Sequence, residues 1–322
     1  MLLRYAARRL LAAVPVLLGV TIITFLILRL TSGGFVPGLE LNPSLRTEDV
    51  DRIRHNLGLD APLPLQYVTW LAGLLHGDFG RSLTDGQPVL DHILERLPNT
   101  VELTLTAVVL AVLIAIPLGV AGAVRRGTIV DHVTTALSVA GVAVPAFWLG
   151  LLLILVFSVS FHAWGLPWLP SGGAFDPADE GDVGARLLHL VMPATVLAFG
   201  YLAVWSRYTR SSMLEVLAQD YVRTALAKGM SGRRMVAVHA LRNAVAPLIT
   251  LIGLELPTLV GGAAVVEIVF GWPGIGQLAL ERALDHDYTT LMGLATFTGI
   301  AVVAGNLLAD VLYAVVDPRI RL

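Results

Sequence analysis

The sequence predicts an all-α integral membrane protein with six transmembrane helices and both termini in the cytosol. Three observations carry that prediction. Of 322 residues, 56% are hydrophobic and only 14% charged, where a soluble domain carries about 25% charged residues. Mean hydropathy is +0.75, and the apolar residues gather into uncharged runs of the ~20 residues needed to cross the hydrocarbon core. Lys and Arg fall on one side once the runs are made to alternate across a bilayer. The net charge of −2 carries no information here, because sign is distributed by side. With no Cys, disulfides and thiolate metal sites are excluded.

The chain opens with Arg4, Arg8 and Arg9, then runs apolar from Leu10 to Leu28. This run exceeds the ~7–15 residues of a signal-peptide core and no small-x-small site follows, so it reads as an uncleaved first span. Residues 31–97 form the longest polar segment, an extracytoplasmic cap with helical pieces at Arg46–Leu57 and Leu65–Leu75. The remainder, 98–322, is a five-span core. Its spans are Val101–Val124, Val133–Phe161 with Pro145 inside, Leu187–Tyr208 with Pro193, Val245–Ile268 and Leu291–Val316. Internal prolines are tolerated in a bundle because neighbouring helices re-satisfy the freed carbonyls. Gly119, Gly122 and Gly261-Gly262 offer close helix approach. Arg125-Arg126, the loop 207–243 and Arg319/Arg321 share the side of the N-terminus, while loops 162–186 and 269–290 hold only Arg186 and Arg282. The positive-inside rule places the first set in the cytosol.

The loop between spans four and five is the most informative stretch. Met213–Lys228 lacks Pro and Gly and reads as one helical run; Gly229 and Gly232 then supply a turn, and a second helix starts after Gly232 and enters span five. Met235, Val238, His239 and Arg242 fall on one helical face, which also suits a basic amphipathic helix on anionic lipid. The run "DYVRTALAKG", beginning at Asp220, and "HALRNA", beginning at His239, resemble the cytosolic coupling loop of ABC-importer permeases of the dipeptide/oligopeptide (peptide/nickel) family, B-type subunit. That family's general pattern is Glu-Ala-Ala, three residues, Gly; here Arg223, Thr224, Ala225 and Gly229 align with it, so the acid and the first Ala are missing. The blocks "LGLDAPLPLQYVTWLAGLLHGDFGRSL", "ILERLPNTVELTLTA", "VVEIVFGWPGIGQLALERALDHDYTTLMG" and "NLLADVLYAVVDPRIRL" resemble the same family in the same order. Thr31–Pro37 stands where the family usually carries a Pro-Gly-Asp-Pro-like turn.

The resemblance implies an ATPase-coupling set of Arg223, Thr224, Ala225, Lys228, Gly229, Gly232, Arg233, Met235, Val238 and His239. It implies partners as well: a second, similar permease, two ATPase subunits or one fused ATPase, and an extracytoplasmic substrate-binding protein. The chain itself would bind no cofactor, and ATP and Mg would be used by the partners. Consistently, the sequence holds no Gly-x-x-x-x-Gly-Lys-[Ser/Thr] run, no His-x-x-x-His pair and no Gly-x-Ser-x-Gly elbow. Nucleic acid is not an expected partner; membrane lipid is.

Glu255 lies mid-span in span five, where a lone carboxylate costs at least ~2.5 kcal/mol. It reads either as part of the substrate path, meeting a peptide ammonium, or as a protonated carboxyl bonded within the bundle. Thr258 and Gly262 follow on roughly the same face. Glu267, further out, reads as a packing or interface-anchoring residue. Asn306, Asp310, Tyr313 and Asp317 form a polar stripe on span six, either a helix–helix seam or a share of the path wall. The function implied is passage of di- or oligopeptides across a bacterial cytoplasmic membrane by alternating access. Import of a nickel chelate or glutathione, and a stand-alone ion-coupled transporter, remain the alternatives.

Overall fold

The structure is a computed structural model and describes residues 2–31, 60–176, 181–254 and 263–316. Among these residues the fold is helical, and an isolated antiparallel bridge joins Arg81 to Pro88. The helices are α1 (Leu2–Thr31), α2 (Leu63–Leu75), α3 (Val89–Val124), α4 (Ile129–Ala143), α5 (Ala146–Ala163), α6 (Val183–Leu217), α7 (Asp220–Ala227), α8 (Leu241–Leu254), α9 (Ala264–Val269), α10 (Ile275–Leu284) and α11 (Tyr288–Val316). Among the described residues four stretches, Val89–Val124, Ala146–Ala163, Val183–Leu217 and Tyr288–Leu307, are long and apolar enough to cross a membrane; Leu11–Ile27, Leu63–Leu75 and Ile129–Ala143 are shorter apolar helices.

The centre of the bundle is α3 against α6. Along α3, Ala107, Ala111, Ala115, Gly119 and Ala123 recur every fourth residue, and all are buried. This stripe of small residues lets the backbones meet. A Cβ added at Gly119 would lie 2.6 Å from Thr209 Cβ and 2.7 Å from the Ser206 carbonyl oxygen. At Gly122 the nearest atom would be 3.4 Å away, so its contact is ordinary. α4 joins the other side of α6 in the same way: Gly141 abuts Ala203 and the Phe199 carbonyl, and Ser138 Oγ and Ser206 Oγ are 2.9 Å apart. Arg210 closes the seam, donating from Nε to Asp131 Oδ1 at 2.5 Å and from Nη2 to Oδ2 at 3.0 Å.

Several expected elements are corrected. The run Met213–Lys228 is not one helix: α6 ends at Leu217, Ala218 and Gln219 make i→i−3 turn bonds to Glu215 and Val216, and Gln219 is extended at ψ 147°. Every residue there is a fair helix former, but helix propensity is a weak force beside burial. Breaking the helix lets α7 turn so that Val222 joins Met213, Met235, Ala240 and Ala123 in one apolar cluster. Span three is likewise broken, at Val144–Pro145, because the residue before proline is pushed out of the helical region; Val144 has ψ 120°. Its second half contains a π-helical turn, Ile154–Ser160. The assumed boundary at 97 falls inside α3, which begins at Val89. α2 agrees with the expected Leu65–Leu75 piece, extended by two residues. The expected helix 46–57 and Gly261-Gly262 lie outside the described residues. So does the middle of span five, of which α8 and α9 are the described parts.

The end of the bundle away from α7 is tied by polar contacts. Glu267 on α9 is completely buried, and accepts from Thr100 Oγ1 at 2.9 Å and from the Gly276 and Gln277 amides at 2.7 and 3.2 Å. The Trp272 indole donates to the Asn99 carbonyl at 2.9 Å. Arg186 forks onto Glu102, reaches Asn99 Oδ1 at 2.7 Å and stacks over Trp272 at 5.5 Å. Asp287 is also fully buried and accepts from Ser82 Oγ at 2.7 Å and the Leu83 amide at 3.1 Å. The turn 78–88 and the segment 270–287, which carries α10, are thereby clamped to the helix ends.

Candidate coupling surface

α7 is short, and its geometry is set at both ends. Thr224 Oγ1 donates back to the Asp220 carbonyl at 2.9 Å. At the other end the Gly229 amide donates to Leu226 O at 3.0 Å and the Met230 amide to Ala225 O at 3.2 Å, with Gly229 at φ +86°. This pair of bonds around a left-handed residue is the Schellman stop, which favours glycine. Ser231 is extended, and the chain restarts as a helical turn at Gly232–Arg234, passes through a π-helical turn at Met235–Ala240 and continues as α8.

Two buried side chains root this knob in the bundle, Val222 from α7 and Met235 from the returning helix. Burial of side chains of this size contributes roughly 1.5–3 kcal/mol each. Asn243 adds a strut, donating to Tyr221 Oη at 3.0 Å and to the His239 carbonyl at 3.1 Å. The Arg223–Asp220 ion pair is 4.0 Å long and almost fully exposed, so it adds little stiffness.

Between α7 and the returning helix lies a concavity of about 670 Å³, lined by Tyr221, Thr224, Ala225, Lys228, Gly229, Met230, Ser231, Arg234 and His239. Of the residues implied by the sequence, it brings together Thr224, Ala225, Lys228, Gly229 and His239. Arg223, Gly232, Arg233 and Val238 are exposed but lie outside its lining. Met235 is 5% exposed and faces the core, so it anchors the knob and does not present itself to a neighbour. Tyr221 and Arg234 also line the concavity, and Asn243 bonds Tyr221, although none of the three is among the implied residues. The spacing of Tyr221, Thr224, Ala225 and Lys228 at i, i+3, i+4 and i+7 was the signal that could have found the first. The Asn243–Tyr221 bond has no local signal, because the two residues are twenty-two apart.

Glu255, Thr258 and Gly262 lie outside the described residues. Asn306 is exposed on α11, and Asp310 is placed on the same helix by its backbone.

Comparison with known proteins covers nearly the whole chain. Residues 114–322 match the family described as "Binding-protein-dependent transport system inner membrane component", and residues 2–104 match that system's membrane component, N-terminal region. The chain is 44% identical over 318 residues to the oligopeptide transport system permease protein AppB of Bacillus subtilis, covering 98% of this chain and 99% of the relative. It is 37% identical over 336 residues to the dipeptide transport system permease protein DppB of Escherichia coli K12, covering 99% of each. It is 38% identical over 342 residues to the di/tripeptide transport system permease protein DppB of Pseudomonas aeruginosa, again covering 99% of each. With a family match over residues 114–322 and relatives covering 98–99% of its length, the chain belongs to the inner-membrane component family of binding-protein-dependent transport systems.

Proposed function

We propose that this chain is a translocation subunit of an ATP-driven importer that passes di- and oligopeptides across the bacterial cytoplasmic membrane. The peptide class rests on the likeness, over nearly full length, to permeases named for oligopeptides, dipeptides and di/tripeptides. The drive rests on one observation: α7 is an exposed knob, seated by Val222 and Met235, with a concavity beside it that a neighbouring subunit can occupy.

In this reading the positive residues place the α7 end in the cytosol. The spans number six, with both termini on that same side. The partners are a second permease of the same family, two ATPases or one fused ATPase that use ATP and Mg, and an extracytoplasmic binding protein. ATP binding moves the ATPases, and the motion enters at α7. A loosely held knob would absorb the displacement. One seated by two buried side chains transmits it along the returning helix into α8 and along α6. The spans then rock between inward- and outward-open states. Arg223, Thr224, Ala225, Lys228, Gly229, Gly232, Arg233, Val238 and His239 supply the contact surface, with Met235 beneath it. Glu255, Thr258, Gly262, Asn306 and Asp310 are assigned to the path wall.

The test is reconstitution of the chain with its partners in liposomes, followed by a screen of peptides, nickel chelates and glutathione. Peptide-stimulated ATP hydrolysis with ATP-dependent uptake is the expected result. Uptake by this chain alone on a proton or sodium gradient would overturn the reading.

A further inference from the structure

The helix α2 differs in composition from the polar segment that contains it. Its thirteen residues, LPLQYVTWLAGLL, contain no charge, although they lie in the most polar third of the chain. One face is taken up within the molecule: Tyr67 packs edge-on against Phe25 of α1 at 5.5 Å and Trp70 lies 6.2 Å from it. Tyr288 and Met292 of α11 complete that cluster. The opposite face presents Leu65, Val68, Ala72 and Leu75, spaced at i, i+3, i+7 and i+10, and Leu65, Val68 and Leu75 are 56%, 58% and 80% exposed. No residue of α2 is fully buried. Apart from Gln66 and Thr69 the helix is apolar, and an open face of this kind is stable only when something apolar covers it.

Its depth is fixed by α1. Tyr67 Oη and Thr21 Oγ1 are 2.9 Å apart. Thr21 lies seven residues before the end of the apolar run at Leu28, roughly 10 Å along a helix. α1 itself leaves apolar side chains uncovered beyond Thr21, where Ile22, Ile23, Leu26 and Ile27 are exposed. Polar residues return where the helix stops, at His76, Gly77 and Asp78. At thirteen residues α2 is too short to span the membrane, and that length suits an interfacial or re-entrant segment.

We infer that α2 is sunk in the outer leaflet of the bilayer, with Leu65, Val68 and Ala72 against acyl chains, and that it pins α1 to the start of α11. The occupant of its open face is lipid. This inference needs the membrane orientation proposed above but not the peptide substrate.

The absence of cysteine makes the test clean. A nitroxide is attached at Val68→Cys in the assembled complex in nanodiscs of phosphatidylethanolamine and phosphatidylglycerol. Its collisions with oxygen and with nickel–EDDA are compared with those at Ile23→Cys on α1 and Thr84→Cys in the exposed turn. The expected oxygen-to-nickel ratio at Val68 is within about twofold of Ile23 and several-fold above Thr84. A ratio matching Thr84 overturns the inference in favour of an aqueous cap. Shielding from both reagents overturns it in favour of a covering protein. Ala72→Cys, which removes no packed side chain, repeats the measurement on the same face should the Val68 variant fail to assemble.

Discussion

Thr100 Oγ1 donates to Glu267 Oε1 at 2.9 Å and accepts from the Ile275 amide at 2.8 Å. One hydroxyl thus joins α3, α9 and the start of α10. Glu267 Oε2 takes the amides of Gly276 and Gln277, and the carboxylate sits so tightly that a Cβ at Gly274 would fall within its van der Waals radius. Replacing an acceptor there strands buried donors, at about 1–3 kcal/mol each. Glu267→Gln should lower the thermal unfolding midpoint of the purified complex by several degrees, and Glu267→Ala by more. An unchanged midpoint for both would show that the buried carboxylate is not the tie.

Gly119 and Gly122 give a matched pair. A methyl at Gly119 would meet backbone and Cβ atoms at 2.6–2.7 Å, whereas at Gly122 it would meet side-chain carbons at 3.4 Å. Overpacking of this kind costs ~1–3 kcal/mol. Gly119→Ala should reduce the yield of folded protein and its melting point, while Gly122→Ala should be close to neutral. Equal effects would mean that α3 and α6 are not in backbone contact.

At the knob, Gly229 stands at φ +86° with open space around it. The penalty for a side chain there is conformational, about 1–3 kcal/mol for a bulky residue and least for Asn. Gly229→Asn should retain peptide-stimulated ATPase activity. Gly229→Val should lose most of it while the permease still folds, as read by size-exclusion profile. Ala225→Arg, which fills the concavity, should abolish co-purification of the ATPases.

Asp85, in the turn between α2 and α3, is held well below the usual carboxylate range. The Gln87 amide at 3.0 Å is the largest cause, and His92 and Ser82 assist against the opposing effect of burial. Arg282 Nη2 also lies 3.1 Å from it. A carboxyl depressed in the folded state contributes stability in full above its unfolded pKa of about 4, and that contribution is lost progressively as pH falls from there through the much lower folded value. Asp85→Asn should therefore melt lower than the unsubstituted chain from pH 5 to 7, and the gap should begin to narrow below about pH 4 and keep narrowing as pH falls further. A gap that is constant with pH would assign the effect to lost packing.

Much of this architecture was legible in one dimension. Apolar runs of membrane length, the basic residues beside them and the breaker cluster at 270–276 are properties of local sequence, and the blocks around Asp220 and Val265 were enough to indicate the family. The stop at Gly229 was legible for the same reason, since a positive φ near a helix end selects glycine whatever surrounds it. The break at Ala218–Gln219 was not: those residues favour helix, and only the burial of Val222 against Met213 and Met235 outweighs them.

Sequence alone settled that this is a membrane protein of separate apolar segments with one glycine-stopped polar knob, because hydropathy and backbone freedom are carried by each residue wherever it sits. Tertiary structure decided which glycines bring backbones together, that Met235 faces inward, that Glu267 sits at the centre of a buried knot, and that α2 lies beside Thr21 and Phe25. Each of those depends on a partner far along the chain, and a pairing energy does not exist until packing brings the two groups within contact distance.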